Sequence, residues 1–324
     1  MALALATSLT RGFKMFNGTS WLMTKSSTIF IRRRVCGIFD GFFRSDPSSA
    51  THPNHRYIME KISADVYKKI DNNVYNATGD SWWRPDTVLH LLKTSINPWR
   101  VGYANTIIKR LGVDPKGKTA LEVGSGGGIL TEEICKLGFN TTGIDPSDES
   151  LQTATNHARA GGLSIKYENG TGENLPYANQ SFDFVFCCDV LEHVQDLPKV
   201  ISEISRVLKP GGVFIYDTLN RTFISKLVAI KIWQEWKRWA FMPPNLHVWE
   251  MFIKPEEIKA LLLRNGFEWK EHKGSEPNVS VPKMLSFLRK RVKGEWTYAD
   301  LGKNFRLVES KDMSILYAGY CIKK

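Results

Sequence analysis

Residues 121–128 read Leu-Glu-Val-Gly-Ser-Gly-Gly-Gly, and this glycine-rich run is the strongest fold signal in the chain. The apolar residues at its start predict a buried strand over 119–123, and the glycines lead into a predicted helix over 128–137. Glycine allows the backbone to turn sharply and to approach a ligand, and the start of a helix adds unpaired N–H groups. The run therefore predicts a ligand-binding loop, but dinucleotide-binding proteins carry similar glycines.

Strands and helices alternate along the chain around and after this loop. The predicted strands cover 119–123, 140–144, 165–168, 182–188 and 213–216, and the predicted helices cover 128–137, 149–160 and 197–207. Such alternation indicates βαβ units and a mainly parallel sheet. Asp145 follows the second strand, where a carboxylate can bind both hydroxyls of a ribose. Glu122 lies beside the glycines, where it could organise a cationic ligand. NAD and S-adenosylmethionine both fit Asp145.

Two further segments narrow the choice of cofactor. Residues 182–194 read Phe-Asp-Phe-Val-Phe-Cys-Cys-Asp-Val-Leu-Glu-His-Val, and residues 204–212 read Ile-Ser-Arg-Val-Leu-Lys-Pro-Gly-Gly. In this order and spacing after the glycine loop, they resemble the class I S-adenosylmethionine-dependent methyltransferases. The resemblance implies an α/β, Rossmann-like fold with a mainly parallel seven-stranded sheet flanked by helices. It also implies S-adenosylmethionine as the cofactor.

Segments outside this core narrow the resemblance further. They are 80–85 (Asp-Ser-Trp-Trp-Arg-Pro), 96–103 (Ile-Asn-Pro-Trp-Arg-Val-Gly-Tyr) and 251–257 (Met-Phe-Ile-Lys-Pro-Glu-Glu). With them, the chain resembles the ubiquinone-biosynthesis O-methyltransferases over roughly residues 65–324. This implies O-methylation of phenolic hydroxyls on polyprenylated precursors, namely polyprenyl dihydroxybenzoate and demethylubiquinol. Two alternatives stay open: another small-molecule methyltransferase, such as a C-methyltransferase of quinone biosynthesis, and a non-catalytic subunit of a quinone-synthesis complex.

The resemblance carries four cofactor-binding residues onto this chain. Arg100 matches the arginine of the Asn-Pro-x-Arg segment, whose guanidinium can pair with the methionyl carboxylate. Gly124 matches the motif glycine, Asp145 the ribose ligand, and Cys188 the position that lines the adenine side. The structural alternatives are a surface arginine at 100 and a buried apolar residue at 188.

Asp189, Glu192 and His193 have the spacing i, i+3, i+4, so a helical turn would place them on one face. Two carboxylates and an imidazole suit a divalent cation, and the oxygens favour magnesium or manganese. The resemblance points to Mg²⁺ as a cofactor, although this chain has Asp189 where glutamate is usual. Many methyltransferases carry Leu-Glu-His-Val without a metal, and there these residues only end a strand and shape the cleft. His193 is also the candidate catalytic base.

The first 39 residues contain six basic residues and no acidic one, so they hold more than half of the net charge of +11. Serine and threonine are frequent there, which predicts a transit peptide over 1–39, mitochondrial rather than plastid. A polar linker over 40–60 and a methyltransferase domain over 61–324 follow. This domain includes a helical N-terminal extension over 61–115 and an amphipathic insertion at about 221–246.

The resemblance and the transit peptide together predict a peripheral protein on the matrix side of the mitochondrial inner membrane, beside other ubiquinone-synthesis proteins. Within segment 223–241, one helical arc comprises Val228, Ala229, Ile232, Trp233, Trp236, Trp239 and Ala240. Such an arc is typical of a helix that lies on anionic lipid. An ordinary helix that packs on the sheet is the alternative.

A second basic cluster comprises Lys283, Arg289, Lys290, Arg291 and Lys293. It could contact phosphates of lipid or RNA, or it could form a solvated face. No RNA-binding motif accompanies it, so no nucleic-acid partner is expected. No run of 18 apolar residues predicts a membrane span, and five irregularly spaced cysteines do not indicate a disulfide framework.

Overall fold

The computed structural model describes residues 61–237 and 240–324. The predicted transit peptide at 1–39 and the predicted linker at 40–60 lie outside these residues. Within the described ranges, no helix combines the length and the apolarity needed to cross a bilayer.

The described residues form one mixed sheet of eight strands in the order β3-β2-β1-β4-β5-β8-β6-β7. The strands are β1 Thr119–Val123, β2 Asn140–Asp145, β3 Lys166–Asn169, β4 Phe182–Cys188, β5 Leu208–Leu219, β6 Phe267–Pro277, β7 Leu307–Ser310 and β8 Leu316–Lys323. Strands β1 to β5 pair in parallel, whereas β8, β6 and β7 join by antiparallel pairs. The mainly parallel Rossmann-like fold is therefore confirmed.

The predicted number of seven strands is wrong by one, because β7 adds a strand beside β6. The chain between these strands forms two helices and then returns along the edge of the sheet, where Leu307–Ser310 pairs with residues 274–277. A free sheet edge exposes unpaired N–H and C=O groups, and a short added strand satisfies them. Strand β5 is also longer than the predicted 213–216.

The α-helices flank this sheet. They are α1 Ala64–Tyr67, α2 Asn97–Leu111, α3 Ile129–Lys136, α4 Asp148–Ala160, α5 Leu197–Val207, α6 Phe223–Ser225, α7 Pro255–Arg264, α8 Val281–Val292 and α9 Tyr298–Asn304. Segments of 3₁₀ or π helix occur at Asn72–Ala77, Gly79–Trp82, Leu92–Ile96, Leu191–His193, Lys226–Glu235 and Trp249–Met251. The predicted helical extension over 61–115 is thus helical in several pieces, of which α2 is the longest.

The two faces of the sheet bury separate apolar clusters. On β4, Phe184 and Phe186 belong to one cluster and Val185 and Cys187 to the other. Successive side chains of a strand point to opposite faces, so a strand covered on both sides reads as a continuous apolar run. This is why the Phe182–Cys188 segment is a strand at its predicted bounds.

Side-chain caps start two of the helices that follow strand ends. The Ser147 side chain accepts a hydrogen bond from the Ser150 backbone N–H at the start of α4, and Asp148 adds a negative charge to the first turn. Asp196 caps α5 in the same way, and Pro198 is in its first turn. Such caps satisfy the free N–H groups of a helix start. They fix the chain directly after Asp145 and after His193.

The amphipathic segment 223–241 is not one helix. The chain forms the short helix α6 and then a π-helix that ends at Glu235. Val228, Ala229 and Ile232 are buried in the core cluster, so this part of the predicted arc packs on the protein and not on lipid. Gln234 lies outside that arc and is also buried, and its side-chain amide donates to the His247 carbonyl and accepts from the His247 N–H. Trp236 is half exposed.

Candidate functional site

A cavity of about 670 Å³ opens at the carboxyl ends of the parallel strands. In open α/β sheets, this edge is where ligands bind. Six of the predicted site residues line the cavity, namely Arg100, Gly124, Asp145, Cys188, Asp189 and His193. Glu192 is not among the lining residues. The structure thus brings together the predicted cofactor residues, which lie up to 88 positions apart in the sequence.

Asp145 organises the glycine loop. Its Oδ2 accepts a hydrogen bond from the Gly126 N–H at 2.8 Å, and its Oδ1 accepts one from the Ser147 N–H at 2.9 Å. Sequence reasoning predicted the ribose contact but not this anchoring. Each carboxylate oxygen has a second lone pair, so Asp145 can still accept hydrogen bonds from a ligand.

Gly124 requires glycine for two reasons. Its φ is +75°, and a Cβ there would lie 2.2 Å from the Cγ2 of Val190. Left-handed backbone is unfavourable for other residues, and such a close contact would displace the loop. The Gly124 N–H donates to the Ile144 carbonyl at 2.8 Å, which ties the loop to the end of β2.

Trp82 and Trp83 of the N-terminal extension cover the glycine loop. A Cβ at Gly127 would lie 2.2 Å from the Cγ of Trp82. The Trp83 indole N–H donates to the Gly127 carbonyl at 2.8 Å, and the Trp82 indole N–H donates to Ser150 Oγ at 3.0 Å. From the sequence, these tryptophans contributed only to the family resemblance, because the sequence does not show which loop they contact.

Arg100 is buried and already paired. Its Nε and Nη2 donate to the two carboxylate oxygens of Asp217 at 2.7 and 2.8 Å, and its Nη1 donates to Asn97 Oδ1 at 3.3 Å. Asp189 Oδ2 lies 3.8 Å from Nη2. Buried charges are tolerated when they are paired in this way. Asp217 was missed by sequence reasoning, although a carboxylate at the end of an apolar strand was a usable signal.

Glu122 is a buried carboxyl group that lines the cavity beside the glycine loop. Burial raises its pKa to about 8, although the hydrogen bond from Thr131 and the nearby Arg100 act in the opposite direction. At neutral pH the group is therefore mostly protonated. A cation that binds next to it would favour the charged carboxylate.

The predicted metal set does not form in this structure. The part of the chain that the structure describes contains no group of three or more His, Cys, Asp or Glu side chains that could hold a metal ion. Asp189 has φ +61°, and the short helical turn begins only at Leu191. The assumed one-face arrangement was therefore wrong. Glu192 Oε2 instead accepts a hydrogen bond from Thr218 Oγ1 at 2.8 Å.

Two buried polar atoms in this set nevertheless have no partner. They are Glu192 Oε1 and His193 Nε2. Most buried polar atoms in proteins are hydrogen-bonded, so each orphan atom marks a place where a ligand could add a contact. The residue types thus fit a cation, but their placement does not. Asp189 lies beside Arg100, and Glu192 lies outside the cavity lining.

Asn72 holds His193 by two hydrogen bonds. The Asn72 side-chain amide N–H donates to the His193 carbonyl at 3.1 Å, and its Oδ1 lies 3.1 Å from His193 Nδ1. Because Asn72 uses its amide N–H on the carbonyl, its oxygen must accept from Nδ1. The proton therefore resides on Nδ1, and Nε2 is a free acceptor.

His247 lies next to His193, with a distance of 5.1 Å between ring centroids. Burial lowers the pKa of His193 to about 3, with a further contribution from His247, and burial lowers the pKa of His247 to about 4. Both imidazoles are thus neutral, and both line the cavity. Neither Asn72 nor His247 was found from the sequence, since the Asn72–His193 contact spans 121 positions.

The rest of the cavity wall is largely apolar. It includes the side chains of Leu92, Ile96, Ile232, Trp233, Met284, Leu288, Leu301, Phe305 and Leu316. These residues come from the turn Leu92–Ile96, from the π-helix Lys226–Glu235, from α8, from α9 and the residue after it, and from the start of β8. A single cavity therefore has polar groups at the strand ends and a wide apolar wall.

Comparison with known proteins agrees with this architecture. Residues 121–216 match the family model described as a methyltransferase domain. The chain is 33% identical to the ubiquinone biosynthesis O-methyltransferase of Azorhizobium caulinodans over 242 residues, which is 72% of this chain and 90% of the relative. It is 36% identical to the protein of the same description from Caulobacter vibrioides over 200 residues, 58% of this chain and 77% of the relative.

A solved structure shares the fold. It is a SAM-dependent methyltransferase, a possible histamine N-methyltransferase, from Thermotoga maritima. The match has a TM-score of 0.51 and 17% sequence identity, and it covers 80% of this chain and 100% of that chain. At this level of identity, the likeness concerns the fold alone.

Proposed function

This chain belongs to the ubiquinone biosynthesis O-methyltransferases, and from this premise we propose that it methylates a phenolic oxygen of a polyprenylated ubiquinone precursor. The observation that carries the proposal is the single cavity, which joins the glycine loop and Asp145 to a wide apolar wall. The loop end suits S-adenosylmethionine, and the apolar wall suits a prenylated ring. Polyprenyl dihydroxybenzoate and demethylubiquinol are the proposed substrates.

The cofactor end of the cavity is acidic. Asp145, Glu173 and Asp189 line it, Glu122 adds a carboxyl group that a bound cation would ionise, and Arg100, which also lines it, is paired with Asp217. Such a surface attracts a ligand that carries a sulfonium and an ammonium group. Remaining N–H groups of Arg100 are available for the methionyl carboxylate. When bound, S-adenosylmethionine supplies an electrophilic methyl group on sulfur.

The neutral His193 is the proposed base. Its Nε2 takes the phenolic proton while the phenolic oxygen forms its bond to the methyl carbon and the bond from carbon to sulfur breaks. Asn72 keeps the proton on Nδ1, so that Nε2 stays an acceptor. Positioning of the oxygen in line with that bond supplies a large part of the rate.

A complementation experiment tests the proposed function. The full chain is expressed in a bacterium that lacks its own ubiquinone biosynthesis O-methyltransferase, and ubiquinone is measured in lipid extracts. We expect the chain to restore ubiquinone, with the His193→Ala variant as the inactive control. Failure of a folded, cofactor-binding chain to restore it would count against the proposal.

Magnesium remains a prediction from residue types, and the proposed proton transfer to His193 does not require it. If an ion draws Asp189, Glu192 and His193 together, chelation should lower the methyl-transfer rate and added Mg²⁺ should restore it. The measurement is the initial rate of the full chain with and without a chelator. A rate that is insensitive to both treatments would refute the metal site.

Glu122 should make cofactor affinity depend on pH. Because its pKa is about 8 in the free protein, binding of a cation must release its proton at neutral pH, and each unit of pH below that pKa weakens binding. Affinity for S-adenosylmethionine should therefore rise between pH 7 and pH 9. Calorimetry across this range measures the effect. Glu122→Gln should remove the part of this pH dependence that comes from Glu122. An identical pH dependence in the variant and the unaltered chain would disprove the role assigned to Glu122.

Location in the mitochondrion, on the matrix side of the inner membrane and beside other ubiquinone-synthesis proteins, is part of the proposal. It is supported by the six basic residues and the lack of acids in residues 1–39. It is also supported by the prenylated substrate, which resides in a bilayer. A fluorescent fusion of the full chain should colocalise with an inner-membrane marker and lose this location when residues 1–39 are removed. An unchanged distribution would argue against the transit peptide.

A further inference from the structure

Arg291 differs from the other members of the basic cluster. Lys283, Arg289 and Lys293 are exposed on or next to helix α8, as expected for a solvated face. Lys290 and Arg291 are both partly buried, and of the five cluster members only Arg291 lines the cavity. The cluster that the sequence presented as one basic surface is thus divided between solvent and the cavity.

The guanidinium of Arg291 has no carboxylate partner. None of the ion pairs within 4.0 Å among the described residues involves it, and its Nε is buried without a hydrogen bond. Its Cζ lies 4.2 Å from the ring centroid of Tyr298, which also lines the cavity. Asp86 interacts with it through space but from beyond the 4.0 Å of an ion pair, and both oxygens of that exposed carboxylate accept hydrogen bonds from Arg84.

Arg291 is therefore distinct from Arg100. Among the described residues that line the cavity, these two carry the basic side chains, and Arg100 is bound by both oxygens of Asp217. Around Arg291 the wall is apolar, with Leu288 and Phe305 among the lining residues. Because the Nε of Arg291 is shielded from water and has no hydrogen-bond partner, an anion that binds at this guanidinium would supply the missing contact.

We propose that Arg291 binds the carboxylate of a prenylated aromatic acid and so distinguishes this substrate from the corresponding neutral quinol. The inference rests on the proposed function. Of the two proposed substrates, the dihydroxybenzoate carries a carboxylate and the demethylubiquinol does not. A guanidinium matches a carboxylate by two parallel N–H···O bonds, a geometry that lysine cannot provide. The apolar wall beside it accommodates the ring and the prenyl chain.

The test compares two substrates on the full chain. One is a dihydroxybenzoate with a short prenyl chain, and the other is the same prenylated catechol without the carboxylate. Arg291→Gln should lower kcat/KM for the acid by about 10- to 100-fold, the effect of losing a charged hydrogen-bond pair. It should leave kcat/KM for the catechol unchanged. Arg291→Lys should restore part of the loss.

Arg289→Gln is the matched control, because Arg289 is exposed two positions earlier on the same helix. Arg289→Gln should leave kcat/KM unchanged for both substrates. Cofactor affinity by calorimetry should stay unchanged in both variants, which separates specificity from misfolding. If Arg291→Gln lowers kcat/KM equally for the acid and the catechol, or for neither, the role of Arg291 is overturned while the proposed function still stands. If the unaltered chain methylates neither compound, the proposed function fails and the inference fails with it.

Discussion

Asp145→Ala should weaken binding of S-adenosylmethionine by about 100-fold, which corresponds to about 2.7 kcal/mol. The substitution removes the acceptor for the Gly126 N–H in the glycine loop and the acceptor for the Ser147 N–H in the turn after β2. It also removes the proposed ribose contact. Charged hydrogen bonds of this kind contribute about 1.5–3 kcal/mol each, so the loss of loop order and of the ligand contact gives a large effect.

Calorimetric titration of the full chain measures this affinity. Asp148→Ala is the matched control, because Asp148 lies three positions away, is exposed and does not line the cavity. The affinity of Asp145→Asn should lie between those of Asp145→Ala and Asp148→Ala, since asparagine keeps one acceptor oxygen and replaces the other by a donor. If Asp145→Ala binds the cofactor as tightly as the unaltered chain, the assignment of the cofactor end is wrong.

His193→Ala should lower kcat by about 10²- to 10⁴-fold, the usual contribution of a positioned base. Asn72→Ala should lower it by about 10- to 100-fold, because the imidazole then loses the contact that fixes its tautomer and orientation. Affinity for S-adenosylmethionine should remain close to normal in both variants. Asn156→Ala, at an exposed position of helix α4, controls for the loss of an asparagine elsewhere.

The pH profile separates a catalytic role of Asn72 from a purely structural one. The pKa of His193 is lowered to about 3 by burial and by His247. A carboxylate in Asn72→Asp would favour the protonated imidazole and raise this pKa. The acid limb of the kcat profile should therefore move to higher pH. A His193→Ala enzyme with nearly full kcat, or an Asn72→Asp enzyme with an unshifted profile, would contradict the proposed base.

The central part of the fold could be predicted because its signals are local. Strands β1 and β4 are short apolar runs bounded by turns, and helix α5 has a cap at Asp196 and a proline in its first turn. Both strands and this helix occur at their predicted bounds. Strand β7 gave no such signal, since two of its four residues are exposed and it exists only through pairing with distant β6.

The cofactor residues could be predicted because they follow strand ends, and parallel strands bring those ends to one edge. Their partners could not be predicted. The Arg100–Asp217 pair spans 117 positions and the Asn72–His193 pair spans 121, so only the folded chain shows these contacts. The assumed placement of Asp189, Glu192 and His193 on one helical face was wrong because of a local detail, the left-handed backbone at Asp189, which interrupts the turn that the spacing assumed. Binding of magnesium itself stays a prediction. In the predicted arc, Val228, Ala229 and Ile232 pack in the core, and periodicity alone cannot separate such packing from contact with lipid.

The central claim is that this chain transfers a methyl group from S-adenosylmethionine to a phenolic oxygen of a prenylated ring. The most direct measurement is to incubate the purified full chain with S-adenosylmethionine and a short-chain prenylated dihydroxybenzoate, and to identify the product by mass spectrometry and NMR. We expect a product with a new methoxy group on the ring. A product methylated on ring carbon, or no product from a chain that binds the cofactor, would contradict it.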